Sequence, residues 1–235
     1  MEKTVKDRKQ ALQSHLKTSI LTMQLRPGAD LDEVALSDTF GLSRTPLREV
    51  FRELAGEGFL QLHAGRGARV AEMSHTTLRD FFLAAPMIYS AVLRLAAQNA
   101  QPQQIESLRS AQDAFKSALR LGDAAQRALA NNRFHEITGE MAGNVYLIPS
   151  FNRLLIDHAR IGMTFYRPQN NKMADNLSTA SDHHDAIIAA IAAGDEDAAA
   201  QLAHDHWQLS RGQIEMFVMP TALDAPLGTF PQSSA

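Results

Sequence analysis

The chain has 235 residues, of which 45% are hydrophobic and 21% are charged, and these proportions are typical of a globular protein. It contains no cysteine, which excludes disulfide bonds and thiolate metal sites. No apolar run reaches the length of a membrane helix, and residues 1–8 lack the apolar core of a signal peptide. The sequence therefore predicts a cytoplasmic protein without a membrane partner. The net charge of −3 does not favour nucleic acid, but phosphate binding requires a basic surface rather than a basic protein.

The N-terminal part begins with a charged segment, residues 1–9, which we expect to be frayed. Apolar residues at helical spacing then predict a first helix over residues 10–23. A short second helix is predicted over residues 31–40, and Gly41 ends it. Leu42 is expected to fill the turn before the next helix. Two helices joined by a glycine-containing turn are the pattern of a helix-turn-helix.

The third predicted helix begins after Ser43, a favourable N-cap residue, and tolerates Pro46 in its first turn. One face carries an apolar stripe at helical spacing, formed by Leu47, Val50, Phe51 and Leu54. Another face carries a basic row, formed by Arg44, Arg48 and Arg52. Guanidinium groups in such a row can bind guanine edges or phosphates in the major groove of DNA, although a solvated surface helix shows the same pattern.

A hairpin follows this helix. Residues 59–63 alternate as a strand and residues 68–71 return as its partner, with Arg66 between two glycines at the tight turn. Such a tip can contact the minor groove or its phosphates. Within residues 43–69, five arginines are opposed by three glutamates, which supplies the basic surface. The combination predicts a winged helix-turn-helix domain over residues 1–73.

These residues resemble the GntR family of bacterial transcription regulators. The matching segments are Arg26-Pro27-Gly28, Leu42-Ser43-Arg44-Thr45-Pro46-Leu47-Arg48-Glu49, Gly56-Glu57-Gly58-Phe59 and Gly65-Arg66-Gly67. The resemblance implies a homodimer that binds a palindromic operator in double-stranded DNA. It also implies that the recognition helix and the wing contact DNA through Arg44, Thr45, Arg48, Gly65 and Arg66. We add Arg52, because it completes the basic row.

From His75 onward the sequence shows only helical periodicity. The predicted helices cover residues 75–100, 102–121, 123–142, 145–164, 178–193 and 195–217. Short connections between them, and a polar break at residues 168–171, predict an antiparallel all-α bundle over residues 74–219 and a mainly α protein. Ser74 is expected to cap the first of these helices, and Pro86 to kink or split it. Residues 220–235 are predicted to be a flexible tail.

Histidines are the chemical feature of the bundle. The residues concerned are Asn131 and His135 on one helix, His183 and His184 on another, and His204 and His206 on the last. Imidazoles presented inward from three helices can bind a divalent metal. Surface histidines and hydrogen-bonded core histidines are more common, and spacing alone leaves both interpretations open.

This region resembles the FCD ligand-binding domain of the FadR-type branch of the family. The matching residues are Asn131-Asn132-Arg133-Phe134-His135, His184-Asp185-Ala186-Ile187, Gly194-Asp195 and His206. In that domain an aspartate and three histidines bind a metal. The implied ligands here are Asn131, His135, His184 and His206, with His183 and His204 facing outward. A neutral amide at Asn131 should bind more weakly than an aspartate. Three imidazoles suit zinc or nickel and leave positions for water or an effector carboxylate.

The effector pocket departs from the family. Relatives place an arginine near residues 84–86 and a glutamate near Tyr89, and this chain has neither. Arginines elsewhere in the bundle are the candidate replacements, namely Arg133, Arg153, Arg160 and Arg167. Of these, we predict effector contacts for Arg133 and Arg160.

The leading interpretation is a ligand-responsive bacterial transcription regulator that is not an enzyme. Its winged helix would bind DNA as a dimer, and its bundle would sense a small molecule such as an organic acid. The alternative is a metal-dependent hydrolase with an accessory DNA-binding domain, because an open metal can activate water. Glu136 and Asp205 are the nearest candidate bases. A third possibility is a regulator for which the metal itself is the signal.

Overall fold

The computed structural model describes residues 4–63, 65, 67–165 and 171–218. Within them the chain forms a winged helix-turn-helix followed by a bundle of helices, which confirms the predicted fold class. The elements are α1 (Val5–Leu21), α2 (Glu33–Phe40), α3 (Arg44–Glu57), β1 (Leu60–His63), β2 (Gly67–Val70), α4 (His75–Asn99), α5 (Pro102–Leu121), α6 (Ala124–Ala142), α7 (Leu147–Phe165), α8 (Asn171–Ala193) and α9 (Glu196–Val218). The predicted tail, residues 220–235, and the wing residue Arg66 lie outside the described residues.

Helix α1 begins earlier than the sequence predicts, because Thr4 caps it. The Thr4 hydroxyl accepts a hydrogen bond from the backbone N–H of Asp7, at 3.2 Å. The Asp7 carboxylate in turn accepts from the backbone N–H of Thr4, at 3.0 Å. This reciprocal capping box satisfies two amides that would otherwise lack partners. The expectation that residues 1–9 are frayed is therefore wrong from Thr4 onward.

Helices α2 and α3 form the helix-turn-helix. The Asp32 side chain caps α2 by accepting from two backbone amides of its first turn, and Gly41 ends it with a φ of 60°. Ser43 occupies the N-cap position of α3 as predicted, but its side chain makes no hydrogen bond to the backbone amides of the first turn. The apolar stripe is buried as predicted, through Leu47, Val50, Phe51 and Leu54.

The two strands pair antiparallel as a wing, with Leu60 opposite Val70 and His63 opposite Gly67. The described strand bounds differ by one residue from the prediction of residues 59–63 and 68–71. At Gly67 the φ is +78°, and a Cβ placed there would lie 2.9 Å from the Glu33 Oε1 atom. Glycine therefore permits both the turn and the close approach of the wing to α2.

The bundle helices follow the predicted order, with two corrections. Helix α4 continues through Pro86 without a break, so the predicted split is wrong. Buried Ala85 and Tyr89 hold the helix in the core on either side, and this packing offsets the one backbone hydrogen bond that proline removes. Helix α8 begins at Asn171, which the sequence assigns to a polar break.

Helix α4 contains no uninterrupted apolar run of membrane-spanning length, but it is long and apolar enough to cross a membrane by overall length and composition. One face lies in the bundle core, through Phe81, Ala85, Tyr89, Val92, Leu93, Ala96 and Ala97. On the outer face, Leu83 and Met87 are 63% and 70% exposed. Helix α4 is thus a core helix of the bundle whose other face also carries large apolar side chains.

Helix α7 belongs to both parts of the molecule. Its Ile156 and Ala159 pack in the core of the winged helix-turn-helix. Its Phe151 and Leu155 pack in the core of the bundle. The same helix therefore supports the winged helix-turn-helix on one side and the bundle on the other.

Two arginines of α7 strengthen this junction. Arg153 Nη1 donates to the backbone oxygen of Gly58 at 2.5 Å, and a Cβ on Gly58 would lie 2.5 Å from the Arg153 Cδ atom. Arg160 Nη1 donates to the backbone oxygen of Ala71 at 2.7 Å. Charged donors make strong hydrogen bonds to carbonyls, so α7 is held at both ends of the wing.

Candidate DNA interface and metal centre

Helix α3 and the wing enclose a groove of about 540 Å³. Its described lining residues are Glu33, Arg48, Phe51, Arg52, Leu62, His63, Gly65 and Gly67. The structure thus brings three predicted DNA-binding residues, Arg48, Arg52 and Gly65, to one surface. Arg44 and Thr45 lie beside it, exposed on the first turn of α3. The unpaired amides of a helix N-terminus favour a phosphate at that position.

Two acidic residues in this region were missed by the sequence analysis. Glu33 Oε2 accepts hydrogen bonds from Nε and Nη2 of Arg48, both at 3.3 Å. Asp30 binds Arg69 through two hydrogen bonds of 2.9 and 3.2 Å, and these raise the pKa of the Arg69 guanidinium. Arg69 is therefore engaged with Asp30, and contributes less to the basic surface than a count of arginines suggests.

Three buried histidines meet in the bundle: His135 on α6, His184 on α8 and His206 on α9. One nitrogen from each ring lies within 4.8 Å of the other two. The ring centroids are 5.6 Å apart for His135 and His184, 5.4 Å for His135 and His206, and 4.8 Å for His184 and His206. Three helices thus each contribute one histidine to a single cluster.

The environment keeps these imidazoles neutral. Burial, the largest cause, and the neighbouring histidines lower the pKa of His135 and of His184 well below 6.5. The same causes lower the pKa of His206 to about 3. At neutral pH each ring therefore keeps a lone pair that no proton occupies, which is the form that binds a metal.

Several nitrogens of the cluster have no hydrogen-bond partner among the described residues. These atoms are both ring nitrogens of His135, Nε2 of His184 and Nδ1 of His206. A buried polar atom without a partner is unfavourable by about 1–3 kcal/mol, and a bound cation removes that cost. Three neutral nitrogen donors fit zinc or nickel.

Gln112 orients one ring of the cluster. Its Nε2 donates to the backbone oxygen of Ser181 at 2.9 Å and to Asp185 Oδ1 at 3.2 Å, which assigns the amide nitrogen to that side. The Gln112 Oε1 atom then faces His184 Nδ1 at 2.9 Å. Because a carbonyl oxygen only accepts, Nδ1 carries the proton and Nε2 carries the lone pair toward the cluster.

The other predicted residues of this region differ in position. Asn131 is buried, one helical turn before His135 on the same face of α6. His204 is exposed, with its Nε2 3.2 Å from the Gln208 amide nitrogen, so it faces outward as expected. His183 is half-buried, and its ring lies 5.9 Å from that of His206. The expectation that His183 faces outward is therefore wrong.

His158 and Tyr89 are neighbours of the cluster that sequence analysis did not assign to it. The Tyr89 hydroxyl lies 2.7 Å from His158 Nδ1, and the His158 ring lies 5.1 Å from that of His135. Burial lowers the pKa of His158 to about 4. A detectable signal was the spacing of His158 from buried Leu155 and Ile161 on α7, which places it on the apolar stripe.

The predicted effector arginines lie elsewhere. Arg133 pairs with Glu136 and Glu140 on the helix surface, about 200° around α6 from His135. It lines a separate groove of about 470 Å³ between α1 and α6. Arg160 is buried between Asp157 and the Ala71 carbonyl. Their geometry assigns Arg133 to surface ion pairs and Arg160 to the domain junction, so neither is placed beside the histidines.

A winged helix-turn-helix joined to a helical bundle with a buried histidine cluster defines the class of a DNA-binding protein that carries an additional all-α region. The sequence matches "Bacterial regulatory proteins, gntR family" over residues 8–70 and "FCD domain" over residues 85–209. The chain therefore belongs to the GntR family of bacterial transcriptional regulators and carries an FCD domain, which confirms the resemblance found in the sequence.

Individual relatives agree with this assignment. The chain is 30% identical over 172 residues to the probable D-xylose utilization operon transcriptional repressor of Paenarthrobacter nicotinovorans, covering 73% of each chain. It is 27% identical over 197 residues to the HTH-type transcriptional repressor GlaR of Escherichia coli (strain K12), covering 81% of this chain and 88% of that one. Among solved structures, E. coli McbR/YncC has a TM-score of 0.72 at 19% identity, covering 90% of this chain and 97% of that one. The structural likeness shows the fold alone.

Proposed function

We propose that the protein is a ligand-responsive regulator whose homodimer binds a palindromic operator through α3 and the wing. Its bundle holds a divalent metal, zinc or nickel, that receives a small carboxylate effector. The sensing half rests on one observation, the convergence of His135, His184 and His206 in a buried core, where each ring has at least one nitrogen without a hydrogen-bond partner among the described residues. A bound divalent ion would supply positions that a carboxylate oxygen can occupy. Asn131 is the proposed fourth, weak ligand.

The position of α7 supports communication between the two halves. His158 contacts the ring of His135, while Arg160, two residues later, holds the backbone of Ala71 beside the wing. A ligand that shifts α7 would therefore act on both contacts. Because an effector changes DNA affinity only through a difference between two states, this helix is the proposed two-state element.

The hydrolase alternative is less well supported by the positions of the candidate bases. Glu136 accepts a hydrogen bond from Asn132 at 2.7 Å and pairs with Arg133. Asp205 is exposed and accepts from Gln201 at 2.9 Å. A general base must lie within hydrogen-bond reach of the metal-bound water that it deprotonates. Both carboxylates are instead engaged in contacts on helix surfaces. A transcription regulator is therefore better supported than a hydrolase.

The outer face of α4 supports the proposed homodimer. A single winged helix reads too few base pairs for useful specificity, so palindromic sites require two copies. Leu83 and Met87 lie one turn apart on that face, and both are exposed. In a two-fold interface each copy presents the same patch, so this apolar stripe can bury itself against its own equivalent. We assign the dimer contact to it.

Replacing Leu83 and Met87 together with glutamate is expected to dissociate the dimer, because two buried like charges per chain would face each other across the axis. Sedimentation at micromolar concentration should show a monomer, with weaker binding to palindromic DNA. Tyr146→Glu is the matched control, since Tyr146 is 88% exposed in another part of the bundle. A double variant that remains dimeric, or wild type that binds one chain per operator, contradicts the assignment.

The function is tested by measuring DNA affinity with metal-free protein, with zinc- or nickel-loaded protein, and with loaded protein plus small carboxylic acids. A response that requires an acid supports the proposed regulator. A response to metal alone identifies the metal-sensing alternative. Metal-dependent turnover of model esters or phosphodiesters, lost in His184→Ala, would identify the hydrolase.

A further inference from the structure

The groove between α3 and the wing contains a carboxylate in contact with a predicted DNA-binding arginine. Glu33 is the first residue of α2, where the helix N-terminus stabilises a negative charge. Its side chain is 22% exposed, and Oε2 accepts from Nε and Nη2 of Arg48. A Cβ on Gly67 would lie 2.9 Å from its Oε1 atom. The carboxylate is therefore confined between Arg48 and the start of β2.

The atoms that Glu33 binds decide which part of Arg48 is left for DNA. A guanidinium has a side edge, formed by Nε and Nη2, and an end edge, formed by Nη1 and Nη2. Glu33 occupies the side edge. In the part of the chain that the structure describes, Nη1 of Arg48 has no hydrogen bond, and the side chain is 57% exposed. The end edge can therefore donate two parallel hydrogen bonds to O6 and N7 of a guanine.

Glu33 also changes the charge of the groove. Among its described lining residues, Glu33 is the one acid, and Arg48 and Arg52 are the fixed cations. Nonspecific binding comes from attraction to phosphates, which an arginine paired with a carboxylate provides less strongly. Base recognition depends instead on the orientation of the donor edge. The Glu33 carboxylate can thus weaken nonspecific attraction to phosphates while it favours recognition of a base.

We propose that Glu33 is a positioning residue that determines specificity, because it holds Arg48 with its end edge available to a guanine and reduces attraction to phosphates. The inference rests on the proposed operator binding. It predicts that Glu33 increases the ratio of specific to nonspecific affinity without touching a base itself.

The test begins with selection of a duplex from a randomised pool by the full-length wild-type protein. Affinities for the enriched duplex and for a random duplex of equal length are then measured over a range of salt concentrations. Glu33→Ala should bind random DNA more tightly, with a salt slope steeper by about 0.9 for each new phosphate contact per duplex. It should bind the enriched duplex about ten-fold more weakly, since one oriented base contact per half-site is impaired. Glu33→Gln keeps an acceptor without the charge, so its random binding should tighten while most of the specific affinity remains.

Two comparisons separate this role from a general effect of charge or folding. Glu53→Ala removes an equal charge from α3, where Glu53 lies near Lys9 at 3.5 Å, and should leave the specificity ratio unchanged. In an Arg48→Ala background, Glu33→Ala should cause no further loss of base preference, because Glu33 acts through Arg48. Equal ratios for Glu33→Ala and Glu53→Ala, or additive losses with Arg48→Ala, would overturn the inference. Failure of the wild type to enrich any sequence would instead contradict operator binding itself.

Discussion

Replacing His184 with alanine is expected to abolish binding of zinc or nickel. The cluster offers three imidazoles, so the variant would keep only two possible histidine ligands. It would also lose the ring whose tautomer is set by the hydrogen bond to Gln112. In the wild type, metal at 100 times its dissociation constant stabilises the folded state by about 2.7 kcal/mol. For a chain of this size that corresponds to a rise in Tm of roughly 5–10 °C. The variant should show no such rise.

The measurement is the change in Tm on adding metal, together with metal content after dialysis. The change in Tm on adding metal is compared between the proteins, rather than the absolute Tm. Removing a buried unpaired imidazole also alters the stability of the metal-free protein, so absolute values would mix two effects. His204→Ala is the matched control, since His204 is exposed on the same helix as His206. Wild-type protein that retains no metal after incubation would show that the histidines are structural.

Asn131→Asp is expected to strengthen metal binding, whereas His184→Ala is expected to abolish it. Asn131 is buried one turn before His135, and a carboxylate there would add an anionic oxygen close to a dication. Competition with a chelator should show tighter metal binding than in wild type. Equal affinity of the two proteins would place Asn131 away from the ion.

The second large effect is expected for Arg48→Ala, which should weaken binding to the enriched duplex by about 1–3 kcal/mol. The Arg48 side chain is largely exposed and lies off the apolar stripe of α3, so Tm should not change. Arg44→Ala, on the exposed first turn of the same helix, should act in the same direction. Binding is measured by fluorescence anisotropy at one fixed salt concentration, since phosphate contacts depend on salt.

Arg94→Ala provides the control for this measurement, because Arg94 is a surface arginine of the bundle that pairs with Asp197 at 2.7 Å. Equal losses on the enriched and random duplexes would identify Arg48 as a phosphate contact. No loss on either duplex would contradict the assignment of α3 as the recognition helix.

The elements predicted correctly are those whose signals are local. The apolar stripe of α3, the glycine that ends α2 and the alternating wing strands each depend on neighbours a few residues away. The capping of α1 was missed although its signal is also local, because Thr4 and Asp7 lie in a charged segment without apolar periodicity.

Contacts between distant segments could not be predicted in this way. His158 joins the histidine cluster, and Arg160 joins the wing, only because α7 packs between the two cores. Glu33 reaches Arg48 across the helix-turn-helix, 15 residues away in sequence. The three cluster histidines were found because each projects from a helix face that the family resemblance indicated. Which arginines lie near them depends on helix rotation, which periodicity alone did not resolve.

The most direct test of a bundle that controls DNA binding is the affinity of the wild-type protein for its enriched duplex in three states. These are metal-free, loaded with zinc or nickel, and loaded in the presence of mono-, di- and tricarboxylates in turn. We expect at least one carboxylate to change the affinity of the loaded protein by about 5- to 150-fold, the usual range of coupling between two sites. His184→Ala should bind the duplex but show no response. An affinity that is the same in every state of the wild-type protein would contradict the proposed function.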